Sequence, residues 1–229
     1  MRAYRTILFD ADNTLFDFSR AEREAIADTM RFCDIVPTEG LIRTYSEIND
    51  AMWKRLERGE IAKEDLRVAR FFEFCKACRF EIDVPRMANA YIDFLSQKNH
   101  LIDGALEICK ALSRRYRLYI VTNGIKTVQR KRFAASCLLP YFADVFISEE
   151  LGFEKPHRGF FDAVAARIPD FSTSSTLIVG DSLSSDIRGG IEAGLDTCWY
   201  NPKGIKSGGA LPITYEIRAL KDLAPLLLS

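Results

Sequence analysis

Two carboxylates stand two residues apart at the end of an apolar run near the start of the chain. The run is Ile7-Leu8-Phe9, and Asp10 and Asp12 follow it directly. A short apolar run bounded by polar residues is typical of a buried strand in a parallel sheet, and ligands bind at the carboxyl edge of such sheets. Two acids there repel each other unless a divalent cation, a lysine or a shared proton joins them. The pair predicts either a metal or phosphate site or, more simply, a polar turn with a capping Asp.

Several later segments should bring polar side chains to the same edge, because parallel strands all end on one side of a sheet. Together with the first pair, the candidate residues are Asp10, Asp12, Thr122, Asn123, Lys155, Asp181 and Asp186. Acids, a hydroxyl and a lysine are the groups needed to move a phosphoryl group with Mg²⁺, which prefers oxygen ligands. Taken singly, the same segments also fit a strand-ending turn at 122–124, an exposed helix start at Lys155–Pro156 and a helix N-cap at Asp186.

The elements that must position these residues change character along the chain. Residues 17–98 carry apolar side chains at three- and four-residue spacing among many charges, which predicts a block of helices. From about residue 99, short apolar runs alternate with amphipathic segments, which implies right-handed crossovers and a parallel sheet with helices on both faces. We therefore predict an α/β protein with a sheet domain (1–16 and 99–229) and an inserted helical domain (17–98).

Composition and charge restrict the classes of partner. Lys plus Arg and Asp plus Glu both number 32, so the zero net charge predicts no bulk attraction to nucleic acid polymers or anionic membranes. The sequence has no apolar run of transmembrane length and no signal-peptide pattern at its start, so we expect a cytoplasmic protein. The six cysteines are expected to be reduced thiols, including Cys75 and Cys78, whose CxxC spacing lies in a helical pattern without further ligands nearby.

Four motifs together resemble those of the haloacid dehalogenase (HAD) superfamily, in order and well spaced. They are Phe9–Leu15, Val121–Asn123, Lys155–Pro156 and Gly180–Asp186. A lone pair of acids means little, whereas four motifs at predicted strand ends and helix starts form a specific match. The resemblance implies a Rossmann-like core, and the inserted helices resemble the type-1 helical cap of this superfamily.

The resemblance also implies roles for the three acids that follow strands. Asp10 would be the nucleophile that forms an aspartyl-phosphate, and Asp12 would protonate the leaving oxygen and then activate a water. Asp10, Asp181 and the Asp12 carbonyl would hold Mg²⁺. In the dehalogenases of the superfamily the position of Asp12 is not an Asp, so this residue favours a phosphatase.

The other motif residues are implied to bind the substrate phosphate or to support those that do. The Thr122 hydroxyl, with the Asn123 amide beside it, would bind phosphoryl oxygens, and Lys155 would neutralise the anion. Asp186 would orient Lys155 or a water on the metal. His157 is expected to be a solvated helix-start residue rather than a catalyst.

Three further segments (51–61, 147–152 and 189–202) resemble the YjjG-type pyrimidine 5′-nucleotidases, which implies a nucleoside 5′-monophosphate as the partner. Phe16, Phe18 and Trp53 could stack on the base, or Phe18 and Trp53 could simply pack the helical domain. The alternatives are a phosphatase for phosphoglycolate, a sugar phosphate or another small metabolite, and a phosphotransferase or mutase. A non-catalytic binding module would usually lack one of the motif acids, and all are present.

The change of pattern is abrupt at about residues 15–19 and 97–104. We expect hinges at both connections, because substrate must enter and water must later be admitted.

Overall fold

The structure is a computed structural model and describes residues 4–209 and 211–228. The chain divides into two compact units. One unit contains the described residues up to Asp17 and from Leu101 onward, and the other is Phe18–His100.

The unit Phe18–His100 consists of four helices: α1 (Phe18–Phe32), α2 (Glu39–Glu57), α3 (Lys63–Cys78) and α4 (Val84–Ser96). Side-chain oxygens of Thr38 and Asp83 cap α2 and α4 by accepting hydrogen bonds from main-chain N–H groups in the first turn of each helix. These caps satisfy donors that have no partner within a helix, so they explain why the helices begin there.

Aromatic rings and one buried polar network fill the interior of this helical unit. The Tyr45 ring lies 5.2 Å from that of Phe71 and 5.3 Å from that of Tyr91. Beside them, buried Arg70 donates to the Asn49 Oδ1 atom at 2.9 Å. Aromatic contacts therefore link α2, α3 and α4, and a buried hydrogen bond also links α2 to α3.

The other unit is built on one six-stranded sheet with every pair of neighbours parallel. Its strands are β1 (Thr6–Phe9), β2 (Arg117–Thr122), β3 (Asp144–Ile147), β4 (Thr176–Gly180), β5 (Asp196–Tyr200) and β6 (Tyr215–Ile217), in the order β3-β2-β1-β4-β5-β6. Strand β1 therefore lies between β2 and β4, and all four of its residues are buried.

Helices connect the strands of this sheet. They are α5 (Ala105–Leu112), α6 (Lys126–Ala134), α7 (Ser148–Leu151), α8 (Arg158–Ala165), α9 (Arg188–Glu192) and α10 (Leu223–Leu227). Two separate apolar cores contain alternate residues of β1, one with Ile7 and Phe9 and the other with Leu8. Residues of α5 and α10 join the first core, and residues of α8 join the second. The predicted α/β fold, a parallel sheet with helices on both faces, is confirmed.

Two helix starts near the candidate site differ from the sequence expectation. The helix expected to start at Pro156 begins at Arg158, because the His157 Nδ1 atom accepts the N–H of Gly159 at 3.0 Å and caps the first turn. Asp186 belongs to a π-helical turn, Leu183–Ile187, that leads into α9, rather than serving as a simple N-cap. In this wider turn Asp186 is buried.

The six cysteines are free thiols. Burial raises the pKa of the Cys75 thiol to about 11, which makes it a poor nucleophile. Among residues 4–209 and 211–228, no helix is both long enough and apolar enough to cross a membrane.

Candidate active site

Three neighbouring strands bring three of the predicted residues to one edge of the sheet. Asp10 follows β1, Thr122 ends β2, and Asp181 follows β4. Carboxylate oxygens of Asp10, Asp181 and Asp186 all lie within 4.8 Å of one another. The sheet therefore assembles an acidic cluster from residues up to 176 positions apart in the sequence, since Asp10 and Asp186 both belong to it.

Lys155 is the buried cation of this cluster. Its Nζ atom lies 2.7 Å from the Asp10 Oδ1 atom, 2.7 Å from the Asp186 Oδ1 atom and 2.8 Å from the Val121 carbonyl oxygen. Only 1% of Lys155 is exposed, so the three donors of its ammonium are satisfied inside the protein. The lysine therefore holds Asp10 and Asp186 together.

Asn123 positions the main chain of that lysine. Its Nδ2 donates to the Lys155 carbonyl at 2.8 Å, and its Oδ1 accepts the Lys155 N–H at 2.9 Å. The family resemblance implies that the Asn123 amide lies beside the Thr122 hydroxyl at a phosphoryl oxygen. The structure shows two bonds from this side chain to the Lys155 backbone, and a contact with phosphate stays a prediction.

A glycine allows Asp186 to reach the cluster. The second carboxylate oxygen of Asp186 accepts the Ser182 N–H at 3.1 Å. A Cβ atom on Gly180, the last residue of β4, would lie 2.3 Å from that same oxygen. Because such contacts do not occur between real atoms, the close approach requires glycine at this position.

Burial and mutual repulsion oppose the ionisation of the acids. Burial, with repulsion from Asp186, raises the pKa of Asp10 to about 7. Burial and the charges of Asp10 and Asp186 raise the pKa of Asp181 well above its usual value. Burial opposes the charge on Lys155, but the attraction of Asp10 and Asp186 outweighs it and raises the lysine pKa.

The donor set fits a hard divalent cation. When all three acids are ionised, the charge of Lys155 balances one of them and two negative charges remain. One Mg²⁺ ion would balance these two charges. Carboxylate oxygens are the ligands that Mg²⁺ prefers. Asp10, Asp181 and Asp186 are therefore the residues whose side chains could hold such an ion.

The carboxylate of Asp12 faces helix α6 and is not part of the acidic cluster. Its Oδ1 accepts from the Arg132 Nη1 atom at 2.5 Å, and its Oδ2 accepts from the Gln129 Nε2 atom at 2.6 Å. Neither of these helix residues was predicted from the sequence. Helical spacing could have indicated them, because both lie on the buried stripe of α6 with Val128 and Phe133, where polar residues are unusual.

Thr122 joins the two parts of the site. Its hydroxyl oxygen accepts the Gly124 N–H at 3.0 Å and the Gln129 Nε2–H at 3.0 Å. With two bonds accepted, the hydroxyl hydrogen remains available to donate to an anion.

His157 and Trp53 both make contacts that stabilise the fold. His157, besides capping α8, stacks its ring on Phe153 with 5.1 Å between centroids. Trp53 packs against the apolar cluster Met52, Leu56 and Leu66 within the helical unit. For Trp53 the structure supports the packing alternative.

Comparison with known proteins gives similarity along the whole chain. The sequence model of a hydrolase family, described as haloacid dehalogenase-like hydrolase, matches residues 4–194. The HAD-hydrolase YfnB of Bacillus subtilis is 41% identical over 227 residues, covering 99% of this chain and 97% of YfnB. A crystal structure of YfnB, bound to magnesium and described as revealing interdomain movement, has a TM-score of 0.94 over 98% of this chain and 99% of that one.

Two pyrimidine 5′-nucleotidases are also similar. PynA of Streptococcus pneumoniae is 38% identical over 221 residues, covering 96% of this chain and 93% of PynA. YjjG of Escherichia coli is 30% identical over 224 residues, covering 96% of each chain. The resemblance inferred from the four motifs and the further segments is confirmed.

Proposed function

The chain belongs to the haloacid dehalogenase-like hydrolases, and on that basis we propose that it is a Mg²⁺-dependent phosphomonoester hydrolase acting through an aspartyl-phosphate. One observation carries the proposal. Buried Lys155 binds Asp10 and Asp186, and Asp181 lies beside them at the ends of adjacent strands. Such a cluster offers a nucleophile, a compensating cation and oxygen ligands in one place.

In the proposed first step, a carboxylate oxygen of Asp10 attacks phosphorus while the bond from phosphorus to the ester oxygen breaks. The Asp12 carboxyl gives its proton to that oxygen, which leaves as an alcohol. Lys155 and the Thr122 hydroxyl stabilise charge on the phosphoryl group.

In the second step, a water oxygen attacks phosphorus and the bond from Asp10 to phosphorus breaks. The proton of that water passes to ionised Asp12, so phosphate leaves and both acids return to their starting forms. The presence of Asp at position 12 supports a phosphatase over a dehalogenase, because only the former needs this proton carrier.

We propose that Asp10, Asp181 and the Asp12 main-chain carbonyl hold Mg²⁺, with Asp186 held against Lys155. When bound, the ion supplies positive charge that offsets the repulsion between the acids and the phosphoryl oxygens. The YfnB structure, which is bound to magnesium, supports the choice of metal.

The proposed substrate is a nucleoside 5′-monophosphate, on the strength of the similarity to PynA and YjjG along almost the whole chain. In this proposal the residues of the sheet unit bind the phosphoryl group, so the choice of leaving group is assigned to the helical unit. The movement described for YfnB supports hinges where the two units meet in the sequence.

A screen of phosphomonoesters tests the proposal. Purified protein with Mg²⁺ should release phosphate from pyrimidine 5′-monophosphates faster than from purine 5′-monophosphates, sugar phosphates or phosphoglycolate. Removal of the metal with EDTA should abolish release, and added Mg²⁺ should restore it. Transfer of phosphate to an acceptor, rather than release, would indicate a phosphotransferase or mutase.

The Asp10→Asn variant tests the mechanism. We expect at least a thousandfold loss of turnover, because the amide is a poor nucleophile. The matched control is Asp162→Asn, which changes an exposed acid paired with Arg158 and should keep full activity. Undiminished Mg²⁺-dependent release by Asp10→Asn would overturn the aspartyl-phosphate route.

A further inference from the structure

Both oxygens of the Asp12 carboxylate are bound by side chains of helix α6. Arg132 Nη1 donates to Oδ1 at 2.5 Å and Gln129 Nε2 donates to Oδ2 at 2.6 Å. An Asp side chain has two rotatable bonds, and these two contacts on separate oxygens restrict both. The orientation of the carboxylate is therefore set by the helix and not by its own backbone alone.

The orientation of the Gln129 amide is itself determined. Arg132 Nη1 also donates to the Gln129 Oε1 atom at 3.0 Å. A guanidinium can only donate hydrogen bonds, so the amide oxygen must face it and the amide nitrogen must face Asp12. The three bonds among Asp12, Gln129 and Arg132 therefore fix which end of the amide faces each partner.

Burial and packing against an aromatic ring hold the Arg132 side chain in place. The residue has no exposed surface, and its guanidinium carbon lies 5.0 Å from the centre of the Phe16 ring. Phe16 in turn packs against Phe133 of the same helix, with 5.4 Å between ring centroids. The cation is thus packed against an aromatic face while it pairs with Asp12.

The same amide connects Asp12 to the proposed phosphate site. Gln129 Nε2 donates to Thr122 Oγ1 at 3.0 Å as well as to Asp12. A Cβ atom on Gly124 would lie 2.2 Å from that nitrogen, so glycine keeps the space that the amide occupies. The proton-transfer residue and the phosphate-binding hydroxyl are consequently held at a set separation.

We propose that Gln129 and Arg132 are positioning residues that hold the Asp12 carboxyl for proton transfer to the leaving oxygen. This inference rests on the proposed phosphatase function and extends it to residues outside the four motifs. Gln129 and Arg132 do not contact the reacting atoms in this scheme. They act by keeping the Asp12 oxygens where the ester oxygen receives the proton.

Two esters that differ in their need for that proton provide the test. The nucleoside of a 5′-monophosphate leaves as an alkoxide unless its 5′-oxygen is protonated, whereas p-nitrophenyl phosphate releases a stable phenolate that needs no proton. The ratio kcat/KM reports the steps up to release of the leaving group. In Arg132→Met and Gln129→Leu we expect kcat/KM to fall about a hundredfold for the nucleotide, within the usual range for a general acid, and less than about threefold for the aryl ester.

Three controls separate positioning from damage to the fold. Arg130→Met removes the same charge from the same helix, but Arg130 is exposed and pairs with Glu150, so both esters should be unaffected. Arg132→Lys restores a donor to Asp12 and should recover part of the nucleotide activity. Mg²⁺ affinity, measured by calorimetry, should be unchanged in all the variants. Gln129 and Arg132 bind the Asp12 carboxylate, which lies outside the acidic cluster, whereas the proposed metal ligand of this residue is its main-chain carbonyl.

The outcomes are distinct. An equal fall for both esters, or a loss of Mg²⁺ affinity in Arg132→Met and Gln129→Leu, would assign the pair a structural role and overturn the inference. Unchanged kcat/KM for the nucleotide would overturn it as well. If the unmutated protein with Mg²⁺ hydrolyses neither ester, the proposed function itself fails, and the positioning role fails with it.

Discussion

At the scale of single residues, two buried cations divide the acids between them. Lys155 binds Asp10 and Asp186, and Arg132 binds Asp12. A buried charge that loses its partner keeps its desolvation cost without the compensating attraction. Asp10, Asp12 and Asp186 are therefore each sensitive to the loss of one specific cation.

Replacement of Lys155 by Met should lower the free energy of unfolding by about 3–5 kcal/mol, because Asp10 and Asp186 lose their shared buried partner. Urea denaturation without Mg²⁺ measures the change. Lys126→Met is the matched control, since Lys126 is exposed and pairs only loosely with Glu150 at 3.5 Å, and should change stability by less than about 0.5 kcal/mol. Equal stability of the two variants would contradict the assignment of Lys155 as a required counter-charge.

At the scale of elements, one polar network connects three helices of the helical unit. Glu22 of α1 accepts from Ser46 at 2.7 Å and Asn49 at 2.6 Å, both on α2, and Asn49 accepts from Arg70 of α3. Burial, partly offset by these hydrogen bonds, raises the pKa of Glu22 above its usual value of 4.5. The folded protein consequently holds this proton more tightly than the unfolded chain.

The raised pKa predicts a pH dependence of stability. The contribution of Glu22 is fully present below pH 4.5, and it is lost as the pH rises through the higher pKa of the folded state. Glu22→Gln removes this titration, so its unfolding free energy, compared with that of the unmutated protein, should rise with pH by at most about 1.4 kcal/mol per pH unit. Urea titrations from pH 4.5 upward measure the difference.

Glu47→Gln is the control for that series, because Glu47 lies on the exposed side of α2 and its contact with Arg43 is 3.9 Å long. For this variant the unfolding free energy should depend on pH as it does in the unmutated protein. If the unfolding free energy of Glu22→Gln also runs parallel to that of the unmutated protein, the pKa of Glu22 does not differ between the folded and unfolded states.

At the scale of the whole molecule, the chain passes between the two units twice, after Asp17 and after His100. Within the sheet unit, the ends of these two connecting segments lie next to each other. Phe16 and Leu101 form an antiparallel bridge, and the Ile102 N–H donates to the Leu15 carbonyl at 2.9 Å. A change in the backbone conformation of one connecting segment should therefore be accompanied by a change in the other.

This pairing sharpens the hinge prediction. Hydrogen exchange at residues 15–19 and 97–104 should change together when Mg²⁺ and a phosphate mimic such as beryllium fluoride are added. Amides of β1, which are buried in the sheet, serve as the internal reference and should not change. If both connecting segments exchange hydrogen at the same rate with and without the mimic, the prediction of hinges is wrong.

Much of this architecture followed from local pattern. An apolar run such as Ile7–Phe9 is typical of a strand buried on both faces of a covered parallel sheet, and parallel strands end at one edge. That reasoning was enough to bring Asp10, Thr122 and Asp181 to one predicted site, and the structure has them at the ends of adjacent strands. The spacing of apolar residues that distinguishes a strand from a helix is a property of nearby residues in the chain, so it can be read from the sequence.

The partners of individual polar atoms were decided only by the tertiary structure. Arg132 and Asp12 are 120 positions apart, and their contact depends on which face of α6 packs beside the end of β1. The two bonds from the Asn123 side chain to the backbone of Lys155, 32 positions away, were likewise not predicted from the sequence. Sequence alone determined which chemical groups meet at the sheet edge. Their pairing required the packed structure, because a hydrogen bond depends on ångström-scale distances that periodicity does not specify.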